Sequence, residues 1–296
     1  MSNTKKNGLV IKKKNAKVEI FARKEDRDIF IKYEQNEKKE FYINNIKINK
    51  LSDILGNIYC VLFVPEDISI LKNEPSKRRR FLNIMISQLR PAYAYILSQY
   101  NIALVQRNNV LKQKKIEIID IWDETISSLG TKIYNYRMEF IEKINKKIEK
   151  IHYEATNEKI QLKYKSNTNN YLNKLKESRK VDFIKGYTSV GIHRDDFEIS
   201  LNEKPVNIYG SQGQKRSVIL SLKLAELEVI YDEIEEYPIL LLDDFMSELD
   251  KNRINSFLQN IKNKQVIVTC TEKFNMPNIN YNTYKIENAT IKKEVE

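Results

Sequence analysis

Four consecutive aliphatic residues, Ile239-Leu240-Leu241-Leu242, followed at once by Asp243-Asp244, narrow the possible folds more than anything else in the 296-residue sequence. An apolar run this short, preceded by Pro238, reads as a strand, and a strand without alternation belongs where both faces are covered, in an α/β sheet. The two carboxylates then stand at the C-terminal strand end, where open α/β sheets place their ligands. The first acid can hold Mg²⁺ through water, and the second can orient or deprotonate a water that attacks a γ-phosphate. The plainer alternative is a buried strand that ends in a polar turn.

Elsewhere the periodicity changes twice. Alternating apolar residues at Val18-Ile20-Ala22, Ile29-Ile31-Tyr33 and Phe41-Ile43 predict an antiparallel meander with one buried face. A continuous apolar strand, Tyr59 to Val64, stops at Pro65-Glu66-Asp67, where proline ends pairing and the acids can cap a turn. From Ser76 to about Arg179 the pattern is helical and charged, with Gly130 as the only glycine, which predicts a helical lobe inserted into a sheet-containing one. Tyr134, Met138, Ile141, Ile144, Ile148 and Ile151 mark one amphipathic helix there, too short a stripe for a long coiled-coil arm. The polar stretch Lys163 to Asn170 reads as a loop. Strands are expected at Tyr187–Val190, Phe197–Leu201 and near Ile239 and Val266, with a helix from Ser217 to Tyr231. The division is therefore 1–73 (β-rich), 74–180 (helical) and 181–296 (α/β).

Hydrophobic residues at 41% and charged residues at 31% describe a chain that folds, with no apolar run near the ~20 residues a membrane helix needs. Met1 to Lys14 is polar and lysine-rich, unlike a signal peptide, which places the chain in the cytoplasm. Cys60 and Cys270 each sit in an apolar run, as reduced core residues rather than a disulfide framework or zinc site. Lys and Arg number 51 against 40 Asp and Glu, a net charge of +11 that favours polyanions such as nucleic acid through counterion release. The clusters that could meet phosphates are Lys77-Arg78-Arg79-Arg80 and Arg107; the equal alternative is a solvated helix face with one arginine paired to Glu74 or Asp67. Trp122 and the 17 tyrosines are spaced like packing residues, and Lys143, Lys146, Lys147 and Lys150 like members of i,i+4 pairs.

Upstream of the two acids lies Tyr209-Gly210-Ser211-Gln212-Gly213-Gln214-Lys215-Arg216, a small-residue turn that opens an amphipathic helix and offers free N–H groups and a favourable dipole to a phosphate. Downstream lies Ser247-Glu248-Leu249-Asp250. In this order the three strings match the signature loop, Walker B strand and D-loop of ABC-type ATPases. Together with Phe63-Val64-Pro65-Glu66-Asp67, Pro75 to Leu82, Gln106 to Lys112 and Gly191-Ile192-His193-Arg194-Asp195-Asp196, they resemble the RecF family over the chain from about residue 40 to its end. Ile192 departs from the proline usual there, a change of stiffness more than of chemistry.

The resemblance implies an α/β fold: an ABC-ATPase-like lobe, incomplete at its N-terminus, with an inserted helical second lobe. It implies a DNA repair and replication protein that binds ATP, Mg²⁺ and duplex DNA next to single-stranded gaps as a homodimer, with RecR and RecO as partners, in gap repair and the SOS response. Asp243 (Mg²⁺ through water) and Asp244 would be catalytic, Ser247 and Asp250 would form the D-loop, and His193, Arg194, Asp195 and Asp196 would support the nucleotide lobe. Yet the sequence holds no GxxxxGK[ST] string; Gly186 and Gly191 have the spacing, but Ile192-His193 follows them. The expectation is a chain cut downstream of the Walker A segment, whose Ser211, Gln212, Gly213 and Gln214 complete an ATP site on an intact RecF protomer. The rival expectation is an ATP-independent DNA-binding or assembly subunit.

Overall fold

The computed structural model of the protein describes residues 17–24, 27–34, 37, 39–49, 51–72, 74–244, 261, 264–271, 281–287 and 290–294. The alternating N-terminal runs form an antiparallel meander of β1 (Lys17–Lys24), β2 (Arg27–Glu34), β3 (Glu40–Ile43) and β4 (Ile46–Ile48). The fourth strand, absent from the sequence expectation, follows a two-residue turn at Asn44-Asn45 with φ of 47° and 64°, the left-handed pair that a tight hairpin needs and that asparagine tolerates.

After β5 (Cys60–Phe63) a 3-10 turn, Pro65–Leu71, is fixed by Asp67, whose Oδ2 accepts from the Val64 amide at 3.0 Å, as the proline and acids predict. Helices α1 (Pro75–Leu89) and α2 (Pro91–Gln113) each start on a proline, which supplies the helical φ and lacks the N–H that would go unpaired there. α3 (Ile119–Thr156) has 38 residues, about 57 Å at 1.5 Å per residue, much longer than the expected stripe. Its buried face runs through Ile126, Gly130, Ile133, Arg137, Phe140, Ile144 and Ile148, so the seam includes a glycine and an arginine that an apolar search passes over, while Tyr134 and Met138 lie at its flank.

β6 (Ile160–Lys165) starts before and extends into the stretch expected to be a loop, and is followed by α4 (Tyr171–Lys185). β7 (Asp196–Leu201) pairs with β6, and β8 (Lys204–Pro205) with β7. Residues 187–195 are irregular, not a strand: the Thr188 amide donates to Asn108 Oδ1 (2.8 Å), that of Ser189 to Asp182 Oδ1 (3.0 Å) and that of Gly191 to Asn167 Oδ1 (3.2 Å). Side chains there take the place of a strand partner. One turn, α5 (Val206–Tyr209), leads to α6 (Gln212–Ile234), longer than expected at both ends. β9 (Ile239–Asp243), β10 (Val266–Thr269) and the hairpin β11 (Thr283–Glu287)–β12 (Thr290–Glu294) complete the described elements.

β9 is the centre of a parallel sheet in the order β10-β9-β5. One buried cluster joins Val61, Phe63, Leu240 and Leu242 of this sheet to α6, α3, α2, α1 and the β6–β7 pair. α6 is buried on nearly all sides from Ser217 to Ile230, which makes it the central helix. The other side of the sheet carries the row Leu62, Leu241, Ile267, of which Leu62 is 48% and Ile267 54% exposed. Cys60 is half-buried, and burial raises its thiol pKa; Cys270, expected in the core, is exposed just past β10, where the sheet ends. Among the described residues no helix is long and apolar enough to cross a membrane.

Candidate functional site

β9 delivers Asp243 to the C-terminal sheet edge, in register with Thr269 of β10. The Thr269 hydroxyl donates to Asp243 Oδ1 at 2.6 Å, which orients the carboxylate and leaves Oδ2 without a protein partner among the described residues. Asp244 takes a left-handed conformation (φ 48°) as its amide turns back to Thr269, 3.2 Å from both the carbonyl and the hydroxyl oxygen. Thr269 carries no sequence signal, because its role depends on a strand pairing that no local pattern announces. Ser247 and Asp250 lie outside the described residues.

Ser211 is the N-cap of α6: its Oγ accepts from the Gln214 amide (3.2 Å), and its own amide donates to Gln214 Oε1 (2.9 Å), a reciprocal capping box. Ser211 and Gln212 are exposed and Gly213 is half-buried, so the first amides of the helix and the positive end of its dipole face outward. Gln214 is held from outside the helix, its Nε2 donating to Glu158 Oε1 at 2.6 Å. Glu158 follows the last turn of α3, and the buried His152 on that turn shares a 2.9 Å hydrogen bond with Ser221 of α6. Glu158 and His152 carried no sequence signal. The structure keeps this turn and the Asp243 carboxylate apart in their contacts: the polar partners of Ser211 are in its own turn, that of Asp243 is on β10.

The basic residues separate sharply. Arg107 is fully buried, donating to Asp123 (2.6 Å), Asp182 (2.8 Å) and Thr188 (2.8 Å), and so cannot meet DNA; its place in a helical basic run concealed an internal ion pair. Arg78 is bidentate to Asp196 (2.5 and 2.9 Å) and donates to the carbonyls of Ile70 and Lys72, a latch between α1 and β7. Arg79 is half-buried and donates to the Asp195 carbonyl, while Lys77 and Arg80 are exposed. Arg79, Arg80, Asn83, Ser87 and Gln88 line an open groove of about 490 Å³ along α1.

The string at 193–196 works as a fastening. His193 Nε2 lies 3.1 Å from the Thr188 carbonyl and therefore carries the proton, and Nδ1 accepts from the Tyr100 hydroxyl at 2.8 Å. Burial pushes the imidazole pKa down to about 4, so it is neutral. Asp195 accepts from Tyr164 and Ser166 (2.8 Å each), and burial raises its carboxyl above the usual range. Arg137 on α3 donates to the Ile192 carbonyl (2.8 Å) and to Asn83 (3.0 Å). Of the four residues at 193–196 only Arg194 is exposed.

Asp243, with one carboxylate oxygen unpartnered among the described residues at a strand end, suits a Mg²⁺ ion held through water. The outward amides of α6 suit an anion. The glycine-rich cradle and lysine that hold β- and γ-phosphates are not among the residues of this sequence, so no hydrolytic step is derived from it.

No protein-family model matches the chain. Among curated proteins it is 41% identical over 288 residues to the DNA replication and repair protein RecF of Ruminiclostridium cellulolyticum, covering 90% of this chain and 77% of that one. It is 43% identical over 258 residues to the RecF of Clostridium botulinum strain 657, covering 83% and 71%. Among solved structures, the recombination mediator RecF with ATP superposes with a TM-score of 0.87 at 34% identity, over 99% of this chain and 83% of that one. An SMC head bound to the winged-helix domain of ScpA, at 15% identity and a TM-score of 0.53, shares the fold, which is that of an α/β ABC-type ATPase.

Proposed function

This chain belongs to the RecF family of DNA replication and repair proteins, and on that premise we propose that it acts in the cytoplasm as a recombination mediator. In this reading it binds duplex DNA beside single-stranded gaps, pairs with a second RecF protomer and assists recombinase loading in gap repair and the SOS response, with RecR and RecO as partners. Lobe I comprises residues 1–73 and 181–296, and lobe II residues 74–180.

The observation that carries the reading is the outward-facing N-terminus of α6. Ser211 and Gln212 are exposed and held in shape by the Gln214–Glu158 contact, a preformed anion-accepting surface that a nucleotide on another protomer can reach. When bound, ATP with Mg²⁺ would supply the charged phosphates that draw two protomers together. Ser211, Gln212, Gly213 and Gln214 would meet them in trans, and Asp243 and Asp244 would serve the Mg²⁺ and water side. Mixing the chain with an intact RecF protomer tests this by sedimentation. ATP and Mg²⁺ should promote pairing, and Ser211→Arg should weaken it at least tenfold; pairing that ignores Ser211→Arg sinks the proposal.

The missing GxxxxGK[ST] string favours a second reading, an assembly or DNA-binding subunit that works without ATP. Titration of the chain alone with ATP separates the two: submicromolar binding decides against the second.

A further inference from the structure

Most arginines in the helical part are occupied. Arg78, Arg90, Arg107 and Arg179 are each paired with carboxylates, and Arg137 is buried among hydroxyl and carbonyl oxygens. Arg80 and Arg194 differ: both are exposed, and neither has a carboxylate partner among the described residues. They belong to one continuous surface. Arg79 and Arg80 line the α1 groove, and Arg79 bonds to the Asp195 carbonyl, one residue from Arg194. The Arg194 guanidinium lies 5.5 Å from the Tyr187 ring centre, and Lys185 Nζ lies 5.9 Å from the same ring. The exposed Lys112 runs its stem against Gly186 between them, with its Cγ 3.3 Å from where a Cβ would stand.

The acids nearest this band make their hydrogen bonds inside the fold. Asp182 is tied to Arg107, Ser178 and Ser189, Asp195 to Tyr164 and Ser166, and Asp196 to Arg78. The fold consumes the carboxylates internally and leaves the cations outside. Burial and then the positive charge of Arg137 lower the Arg79 pKa, while the carboxylates of Asp196 and Asp195 oppose that shift.

We infer that the band Arg80–Arg79–Arg194–Lys185–Lys112 is the surface on which this chain holds the sugar–phosphate backbone of duplex DNA. The inference rests on the DNA-binding reading and deepens it. A row of cations spread over α1, α2, the 187–195 segment and α4 suits phosphates spaced along a groove edge. Tyr187, 41% exposed and flanked by two cations, serves as their seat and not as a stacking platform for bases, so recognition is independent of sequence. The segment that carries Arg194 is fastened to α1, α2, α3, β6 and α4, which fixes the charge in advance and reduces the entropy lost on binding.

The test is fluorescence anisotropy of the full chain on a labelled duplex, with KCl varied from about 50 to 200 mM. Arg194→Glu with Lys185→Glu should weaken binding at least tenfold and make the slope of log K against log salt shallower by roughly 2. Arg194→Lys with Lys185→Arg should bind within about threefold of the parent, which separates charge from misfolding. Lys146→Glu with Lys150→Glu, an equal charge change on exposed α3 positions, should have no more than a twofold effect. Parent binding that survives the first double reversal overturns the band while leaving the DNA-binding reading intact; equal losses from both reversals overturn it in favour of diffuse charge. A parent chain that does not bind duplex at any salt overturns the band and the DNA-binding reading together.

Discussion

Gly191 has φ 141°, and a Cβ there would stand 2.0 Å from the Tyr171 hydroxyl oxygen and 2.7 Å from that of Tyr100. Gly191→Ala should therefore cost about 3 kcal/mol in urea unfolding, as backbone strain and overpacking combine. Gly186→Ala, at a helix C-terminus with φ 70° and only the Lys112 stem nearby, should cost about 1 kcal/mol. These two glycines caught attention in the sequence only as a false phosphate loop; their purpose lies in packing that spacing cannot reveal. Arg107→Ala should cost about 3–5 kcal/mol, since Asp123 and Asp182 would remain buried with a charge partner lost. For His193 the folded pKa of about 4 lies below the ordinary value of 6.5, so the unfolded chain binds more protons in that window and stability falls as pH drops through it. Its share is about 3 kcal/mol by pH 4. Asp195 and Glu226, both raised by burial, act in the opposite direction, so the measurement is the slope of stability against pH in the parent minus that in His193→Gln.

Elements whose pattern is intrinsic were legible. The run at Ile239–Leu242 became the central parallel strand, although only its Leu240 and Leu242 side is fully covered where the sequence predicts cover on both faces, and Ser211 became a helix cap because its hydroxyl and Gln214 satisfy each other's turn. Elements whose boundaries depend on distant partners were not. α3 runs past its apolar stripe because Asp123, Arg137 and His152 on its inner face find partners on α2, α4, the 187–195 segment and α6. The extended residues 187–190 fail to become a strand because Asn108 and Asp182 take their amides. The tie between α3 and α6 is testable at this scale. Glu158→Ala removes the Gln214 contact and leaves the capping box, so it should cost about 1 kcal/mol of stability while weakening ATP-dependent pairing with a RecF protomer in the sedimentation assay. Ser211→Ala should cost a similar amount through the lost cap alone.

At the scale of the molecule, one core joins the sheet to every long helix among the described residues, and pairings such as β5 with β9 close over most of the chain. The class of the fold was readable from the sequence, whereas the closure of those pairings was not, since strand partners are chosen by total burial. The row Leu62–Leu241–Ile267, exposed at its two outer members and half-buried at Leu241, leaves apolar surface that a parallel sheet ordinarily covers. Leu62→Lys with Ile267→Lys should reduce light scattering of concentrated solutions and shift unfolding by no more than about 1 kcal/mol. The fastening of residues 187–195 reaches further than local geometry. Three of their amides are held by side chains that come from α2, α4 and the segment before α4, so releasing all three requires several elements to separate. Hydrogen–deuterium exchange there should be as slow as in the middle of α6, and an irregular stretch would keep time with the global unfolding of the protein.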